Sequence, residues 1–72
     1  MGISLATLRK NAGYATQDAL ARRLGVDDVT ISRWENGRRE PRLAHISELA
    51  TALCVSEGEI VDALTNSSQD TA

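Results

Sequence analysis

The chain has 72 residues, of which 42% are hydrophobic, a single cysteine and a formal net charge of −2. This length allows one small domain, and an aliphatic composition without phenylalanine favours packed helices over aromatic-rich sheets. The lone Cys54 excludes an internal disulfide, and the lack of a Cys/His cluster, of an apolar run of roughly 18 residues and of a signal-peptide pattern predicts a metal-free, soluble, cytoplasmic protein.

Capping residues predict two helices in the first third of the chain. Ser4 can cap a first helix of about residues 5–12, and Gly13 supplies the left-handed residue that ends it. Thr16 can cap a second helix of about residues 17–24. The junction between the two helices is the segment GYATQ.

A third helix follows the second after a short turn. Gly25 ends the second helix, and Asp27 is expected to cap a helix of about residues 28–36 by satisfying the free backbone amides of its first turn. Gly37 ends this third helix. The spacing therefore predicts two short helices joined by a tight turn.

A fourth helix is predicted after Pro41, which forbids a continuous helix. Apolar residues recur at helical spacing over about residues 43–53, at Leu43, Ile46, Leu49, Ala50 and Leu53. The ends of this helix are weak, because Arg42 is a poor cap and Cys54 occupies a helix-ending position where glycine would cost less.

The fifth predicted helix begins at a capping box. Ser56 is followed three residues later by Glu59, which predicts a helix of about residues 57–64. Residues 65–72 are polar and without periodicity, so we expect a disordered tail. The domain is therefore expected to span residues 1–64.

Charge is segregated along the chain. Residues 1–42 hold all eight Lys and Arg and five acids, a net charge of +3. The last thirty residues hold five acids and no base, a net charge of −5. The segregation favours a positive working face and an acidic back, and the alternative is an ordinary scatter of charge in a small domain.

Residues 17–36 carry the helix-turn-helix pattern, with Gly25 in the turn and apolar residues at Leu20, Ala21, Leu24, Val26, Ile31 and Trp34. The stretch TQDALARRLGVDDVTISRWENGRREP resembles the Cro and repressor type (XRE-like, Cro/C1-type) of helix-turn-helix regulators. The resemblance runs from about Leu5 to Leu64 and implies an all-α, five-helix, lambda-repressor-like DNA-binding domain. The junction GYATQ is one residue longer than is usual in that family, so Tyr14 or Ala15 is expected to bulge.

In such proteins the second helix of the motif lies in the major groove of DNA. The residues expected to read bases are Asp28, Val29, Ser32 and Arg33. Arg33 can donate to both acceptors of a guanine, with a phosphate contact as the alternative, and Val29 either packs on a thymine methyl or fills space. Asp28 either accepts from a cytosine amine, disfavours wrong sequences or stabilises the helix start.

The resemblance also assigns contacts to DNA phosphates, at Thr16, Gln17, Thr30, Asn36, Arg38, Arg39 and Arg42. A solvated basic loop is the alternative for the three arginines. Arg9 and Glu35 resemble the family's partly buried ion pair, a structural feature. We expect His45 to be an ordinary surface residue and Cys54 to be a small packed one.

The sequence predicts a transcriptional regulator, most simply a repressor that binds a pseudo-palindromic operator in double-stranded DNA as a homodimer. The dimer interface is expected at Val55, Val61 and Leu64. The alternative is an antitoxin-like or adaptor module that binds a partner protein. We expect no enzymatic activity, cofactor, membrane contact or small-molecule effector.

Overall fold

The computed structural model describes residues 3–69 and the side chains of residues 3–65. This part of the chain is entirely helical apart from its connections, which confirms the predicted fold class. The helices are α1 (Leu5–Asn11), α2 (Gln17–Leu24), α3 (Asp28–Glu35), α4 (Leu43–Leu53) and α5 (Glu57–Gln69).

Three of the predicted N-terminal caps are formed by side-chain hydroxyl groups. Ser4 Oγ accepts from the backbone N–H of Thr7 at 3.3 Å, and Thr16 Oγ1 accepts from the N–H of Ala19 at 3.1 Å. At the start of α5, Ser56 Oγ accepts from the backbone N–H three residues later at 3.1 Å. Each bond satisfies a backbone donor that has no partner within the helix, and this fixes where the helix begins.

The other two N-termini differ from these. Asp27 occupies the N-cap position of α3, but its side chain makes no capping hydrogen bond, so the predicted role of its carboxylate in satisfying the first-turn amides is wrong. Its remaining contribution to the helix is a negative charge near the positive end of the helix dipole. Arg42 likewise makes no side-chain cap at α4, as its chemistry predicts.

α5 is longer than predicted, and the first part of the expected tail is helical. The helix extends to Gln69 instead of ending near residue 64, so the prediction of disorder is wrong for residues 65–69. Thr65 Oγ1 donates to the carbonyl oxygen of Val61 at 3.0 Å, and no Gly or Pro interrupts this segment. Polar residues therefore continue a helix that is already nucleated. Residues 70–72 lie outside the described residues.

The hydrophobic core receives one fully buried large aliphatic side chain from every helix. These residues are Leu5, Leu20, Ile31, Leu49 and Ile60, each with a relative accessibility of 0%. The six apolar positions of the helix-turn-helix pattern are all buried or half-buried in or against this cluster. α2 and α3 pack on each other, and α5 contacts α1, α3 and α4. The second half of the chain thus supports the motif formed by the first half.

Two residues at the ends of α4, its first residue and the residue that follows it, differ from their predicted environments. Leu43, which continues the apolar periodicity, is 84% exposed because it occupies the first position of α4, beyond the reach of the other helices. Cys54 follows the end of α4 with φ +59°, the left-handed conformation expected there. Its side chain is exposed instead of packed.

Gly25 makes the turn of the motif possible. Its φ is +74°, and a Cβ placed there would meet no atom within 4 Å. The demand for glycine is therefore conformational, because a left-handed backbone is costly for an L side chain even where space is available. Within residues 3–69, no helix is both long and apolar enough to cross a bilayer.

Candidate nucleic-acid interface

One face of α3 is anchored in the core and the opposite face is open. Ile31 and Trp34 are 0% and 3% exposed and hold the helix against the domain. On the outer side, Asp28 and Arg33 are exposed and Val29 is 53% exposed. An anchored helix with a projecting outer face has the geometry needed to enter a groove in a partner.

The fourth predicted base-reading residue, Ser32, is half-buried and already has a partner. Asn36 Nδ2 donates to Ser32 Oγ at 3.2 Å. The hydroxyl group of Ser32 therefore accepts one hydrogen bond from within the protein, and its own hydrogen remains able to donate. The same bond fixes the side chain of Asn36, which is exposed, at the end of α3.

The two acids at the start of α3 are both exposed to solvent. Asp27 precedes the helix and Asp28 is its first residue, so both carboxylates lie where the helix dipole is positive. Among the described residues, no basic side chain forms an ion pair with either carboxylate. The carboxylate of Asp28 is therefore available at the N-terminal end of α3, the end that the sequence predicts to face base edges.

A basic groove lies beside the outer face of α3, with a volume of about 400 Å³. We use the term basic groove for the cavity lined by Thr30, Arg33, Trp34, Arg39, Glu40, Pro41, Arg42 and His45. Three guanidinium groups and one carboxylate line it, which favours an anionic ligand. Arg33 belongs both to the groove and to the outer face of α3, so the two surfaces are continuous. Arg38 is exposed in the same loop.

His45 is not the ordinary surface residue that the sequence suggests. Its ring centroid lies 5.2 Å from that of Trp34, with the two ring planes at 48°, and its side chain is 33% exposed. The loop between α3 and α4 brings the first turn of α4 onto the end of α3 and creates this contact. Helical periodicity places His45 on the polar side of its own helix. A periodic pattern within one helix cannot report a contact with another helix.

A buried polar network joins α1, α2 and α3. The predicted ion pair is present, with Arg9 Nε 2.7 Å from Glu35 Oε2 and both side chains 6% exposed. Arg9 Nη1 also donates to the carbonyl oxygen of Tyr14 at 2.8 Å, and Gln17 Nε2 donates to Glu35 Oε1 at 2.9 Å. Both carboxylate oxygens of Glu35 and two donors of Arg9 are thus satisfied within the protein.

The structure refines the interpretation of the residues from Tyr14 to Gln17, at the start of α2 and the junction before it. Gln17 is half-buried and its amide is held by Glu35, so its side chain is not freely available for the predicted phosphate contact. Of the two residues expected to bulge, Tyr14 packs against the core and Ala15 is exposed. Thr16 is exposed, and its hydroxyl accepts from the backbone of α2 while its hydrogen can still donate.

Two of the three residues expected at a dimer interface, Val61 and Leu64, line an apolar groove beside α4 and α5. Val61 is 50% exposed and lines this groove of about 300 Å³ with Leu64, Ile46 and Pro41. Val55 and Leu64 are half-buried and pack against the core. Of the three predicted residues, Val61 therefore presents the largest apolar surface to a partner.

Known proteins resemble this chain over the part that contains the candidate interface. Residues 1–64 match a family described as a helix-turn-helix domain. A protein of Sinorhizobium fredii, named an uncharacterized HTH-type transcriptional regulator, is 39% identical over 61 residues, which are 85% of this chain and 78% of that protein. An uncharacterized HTH-type transcriptional regulator of Archaeoglobus fulgidus is 42% identical over 45 residues, 62% of this chain but only 20% of that protein. No solved structure matches the chain significantly.

Proposed function

Because the chain belongs to the helix-turn-helix domain family, we propose that it is a transcriptional regulator that binds double-stranded DNA in a sequence-specific manner. The observation that carries this proposal is the outer face of α3, which projects from a buried anchor and continues into the basic groove. In this family of folds the corresponding helix enters the major groove. Such a regulator acts on DNA in the cytoplasm and needs no catalytic group.

Base recognition is assigned to the outer face of α3. Arg33 is proposed to donate to the two acceptors of a guanine, a contact worth about 1–3 kcal/mol of discrimination. Val29 would pack on a thymine methyl, and Asp28 would accept from a cytosine amine. Ser32 contributes a hydroxyl donor, since its oxygen already accepts from Asn36.

Phosphate contacts are assigned to the residues that flank α3. Arg39, Arg42 and Thr30 line the basic groove, and the side chain of Arg38 is exposed beside it. The remaining contacts would come from the start of α2 and the end of α3, at Thr16, Gln17 and Asn36. For Gln17, the bond to Glu35 favours the backbone N–H or the second amide hydrogen as the donor to phosphate.

The regulator is proposed to be a repressor that binds as a homodimer to a pseudo-palindromic operator. A twofold dimer places two copies of α3 in successive major grooves, about 34 Å apart. Val61 and Leu64 in the apolar groove, together with Val55, would form the subunit contact. Burial of these side chains supplies the driving force for association.

A titration with duplex DNA at two salt concentrations tests the function. Several phosphate contacts predict that affinity for a random duplex falls steeply as salt rises. A protein-interaction module of the antitoxin or adaptor type would bind DNA weakly at both concentrations. The absence of measurable DNA binding at low salt would therefore reject the proposal in favour of that alternative.

Two variants test the assignment of roles. Operator sequences selected from a random pool should lose preference at one position per half-site with Arg33→Ala, because base contacts specify sequence. Arg39→Ala should weaken binding to all sequences alike, because a phosphate contact carries no base preference. Equal effects of the two variants on base preference would contradict this assignment.

A further inference from the structure

We propose that the basic groove holds one phosphate of the bound DNA and that His45, in its protonated form, is a ligand of that phosphate, so that DNA affinity rises as pH falls. This inference rests on the proposed function, because the phosphate is part of the duplex that α3 reads. It adds a residue outside the helix-turn-helix motif to the DNA interface and makes binding depend on proton concentration.

The position of His45 in the groove is fixed from one side. Trp34 is 3% exposed and packed in the core, and the imidazole of His45 packs against its indole at a centroid distance of 5.2 Å. One third of the His45 side chain remains exposed. A ring held on one side and open on the other can present a donor to a ligand in the groove with little loss of side-chain entropy.

The groove is continuous with the surface that reads DNA. Arg33 lines it from α3, while Arg39 and Arg42 line it from the loop before α4. A helix in the major groove has a phosphate backbone on each side of it, so a cavity that shares Arg33 with the outer face of α3 lies where a backbone passes. A volume of about 400 Å³ is ample for one phosphate group.

Four charged side chains line the groove together with His45, and the carboxylate of Glu48 lies beside its ring outside the groove. Arg33, Arg39 and Arg42 are positive, Glu40 in the loop is negative, and Glu48 on α4 has Oε1 at 3.9 Å from His45 Nε2. A phosphate adds negative charge to this set. Because an added negative charge favours the protonated form of histidine, DNA binding and proton uptake by His45 are coupled.

The chain is well suited to a test, because His45 is its only histidine. Histidine is the side chain whose charge ordinarily changes between pH 5 and pH 8, and carboxylates and thiols ordinarily titrate outside this interval. A change in DNA affinity between pH 5.5 and pH 7.5 can therefore be assigned with one substitution. His45→Asn keeps a hydrogen-bonding side chain but removes the titrating group.

The experiment measures binding of a fluorescently labelled random duplex at pH 5.5 and pH 7.5, over a range of salt concentrations, for the wild-type chain and for His45→Asn. The wild-type Kd is expected to be about threefold to tenfold lower at pH 5.5. The slope of log affinity against log salt should be steeper by about 0.9 at pH 5.5, because one more phosphate charge is neutralised. His45→Asn should show the same Kd and slope at both pH values, and circular dichroism checks that it is folded.

Glu48→Gln is the matched control, since it removes the carboxylate beside His45 Nε2 and leaves the groove arginines in place. This variant should retain the pH dependence of binding. The inference would be overturned if the pH dependence of DNA affinity were lost in Glu48→Gln, persisted in His45→Asn or were absent from the wild-type chain. In each of these cases, DNA binding by the wild-type chain at pH 7.5 would still support the proposed function. If no variant binds DNA at either pH, the proposed function fails and the inference fails with it.

Discussion

Replacing Glu35 by alanine is expected to destabilise the domain far more than removal of any exposed acid. Glu35 Oε2 lies 2.7 Å from Arg9 Nε, both side chains are 6% exposed, and Glu35 Oε1 accepts from Gln17 Nε2. The substitution leaves a buried guanidinium without its carboxylate and a half-buried amide without its acceptor. Breaking a buried pair from one side costs about 3–5 kcal/mol.

That cost is large relative to the stability available to a domain of this size. Stabilities of about 0.05–0.15 kcal/mol per residue imply a total of roughly 4–11 kcal/mol for 72 residues. Urea unfolding followed by the fluorescence of Trp34, the only tryptophan, measures the difference. Glu35→Ala should therefore have a much lower urea midpoint with an unchanged dependence on urea.

Asp18→Ala is the control for the loss of a carboxylate at an exposed pair. Asp18 Oδ2 lies 2.9 Å from Arg22 Nε, and the two side chains are 56% and 81% exposed. Because solvent screens this pair, its loss should cost less than about 0.5 kcal/mol. The double variant Arg9→Met with Glu35→Leu removes both buried charges and should recover most of the stability lost in Glu35→Ala. Equal unfolding free energies for Glu35→Ala and Asp18→Ala would refute the reasoning.

Three further predictions concern stability and assembly. Cys54→Gly should stabilise the domain by about 0.5–1 kcal/mol in thermal unfolding, because φ is +59° and the side chain is exposed; a lower melting temperature would contradict this. Leu20→Ala should cost about 2–5 kcal/mol in urea unfolding, because the side chain is fully buried, and a cost below 1 kcal/mol would show that the core collapses around the cavity. Val61→Glu should shift the proposed dimer to monomer in sedimentation while leaving the circular dichroism spectrum intact, since Val61 is 50% exposed; an unchanged sedimentation coefficient would exclude Val61 from the interface.

The helices were predictable because their ends are encoded locally. Ser4, Thr16 and Ser56 each form a hydrogen bond to a backbone N–H three residues later, a contact that needs no tertiary information. Gly25 marks the turn of the motif for a similarly local reason. The outer face of α3 followed from helical geometry, because the residues opposite Ile31 must project away from the core.

The features that sequence reasoning missed depend on contacts between helices or on competition between local and tertiary effects. The bond from Gln17 to Glu35 and the packing of His45 against Trp34 join residues of different helices, and no periodic pattern within one helix reports them. Leu43 fits the period of α4 but lies at its end, where the core is out of reach.

The arrangement of the core limits the transfer of α3 to another protein. Each of the five helices contributes one fully buried large aliphatic side chain to a single shared cluster. No pair of helices therefore forms a separate hydrophobic core. Grafting α2 and α3 onto another scaffold would leave Leu20 and Ile31 facing water unless the host supplied replacements for Leu5, Leu49 and Ile60. Presentation of the outer face of α3 therefore depends on packing against all five helices and not on the two-helix motif alone.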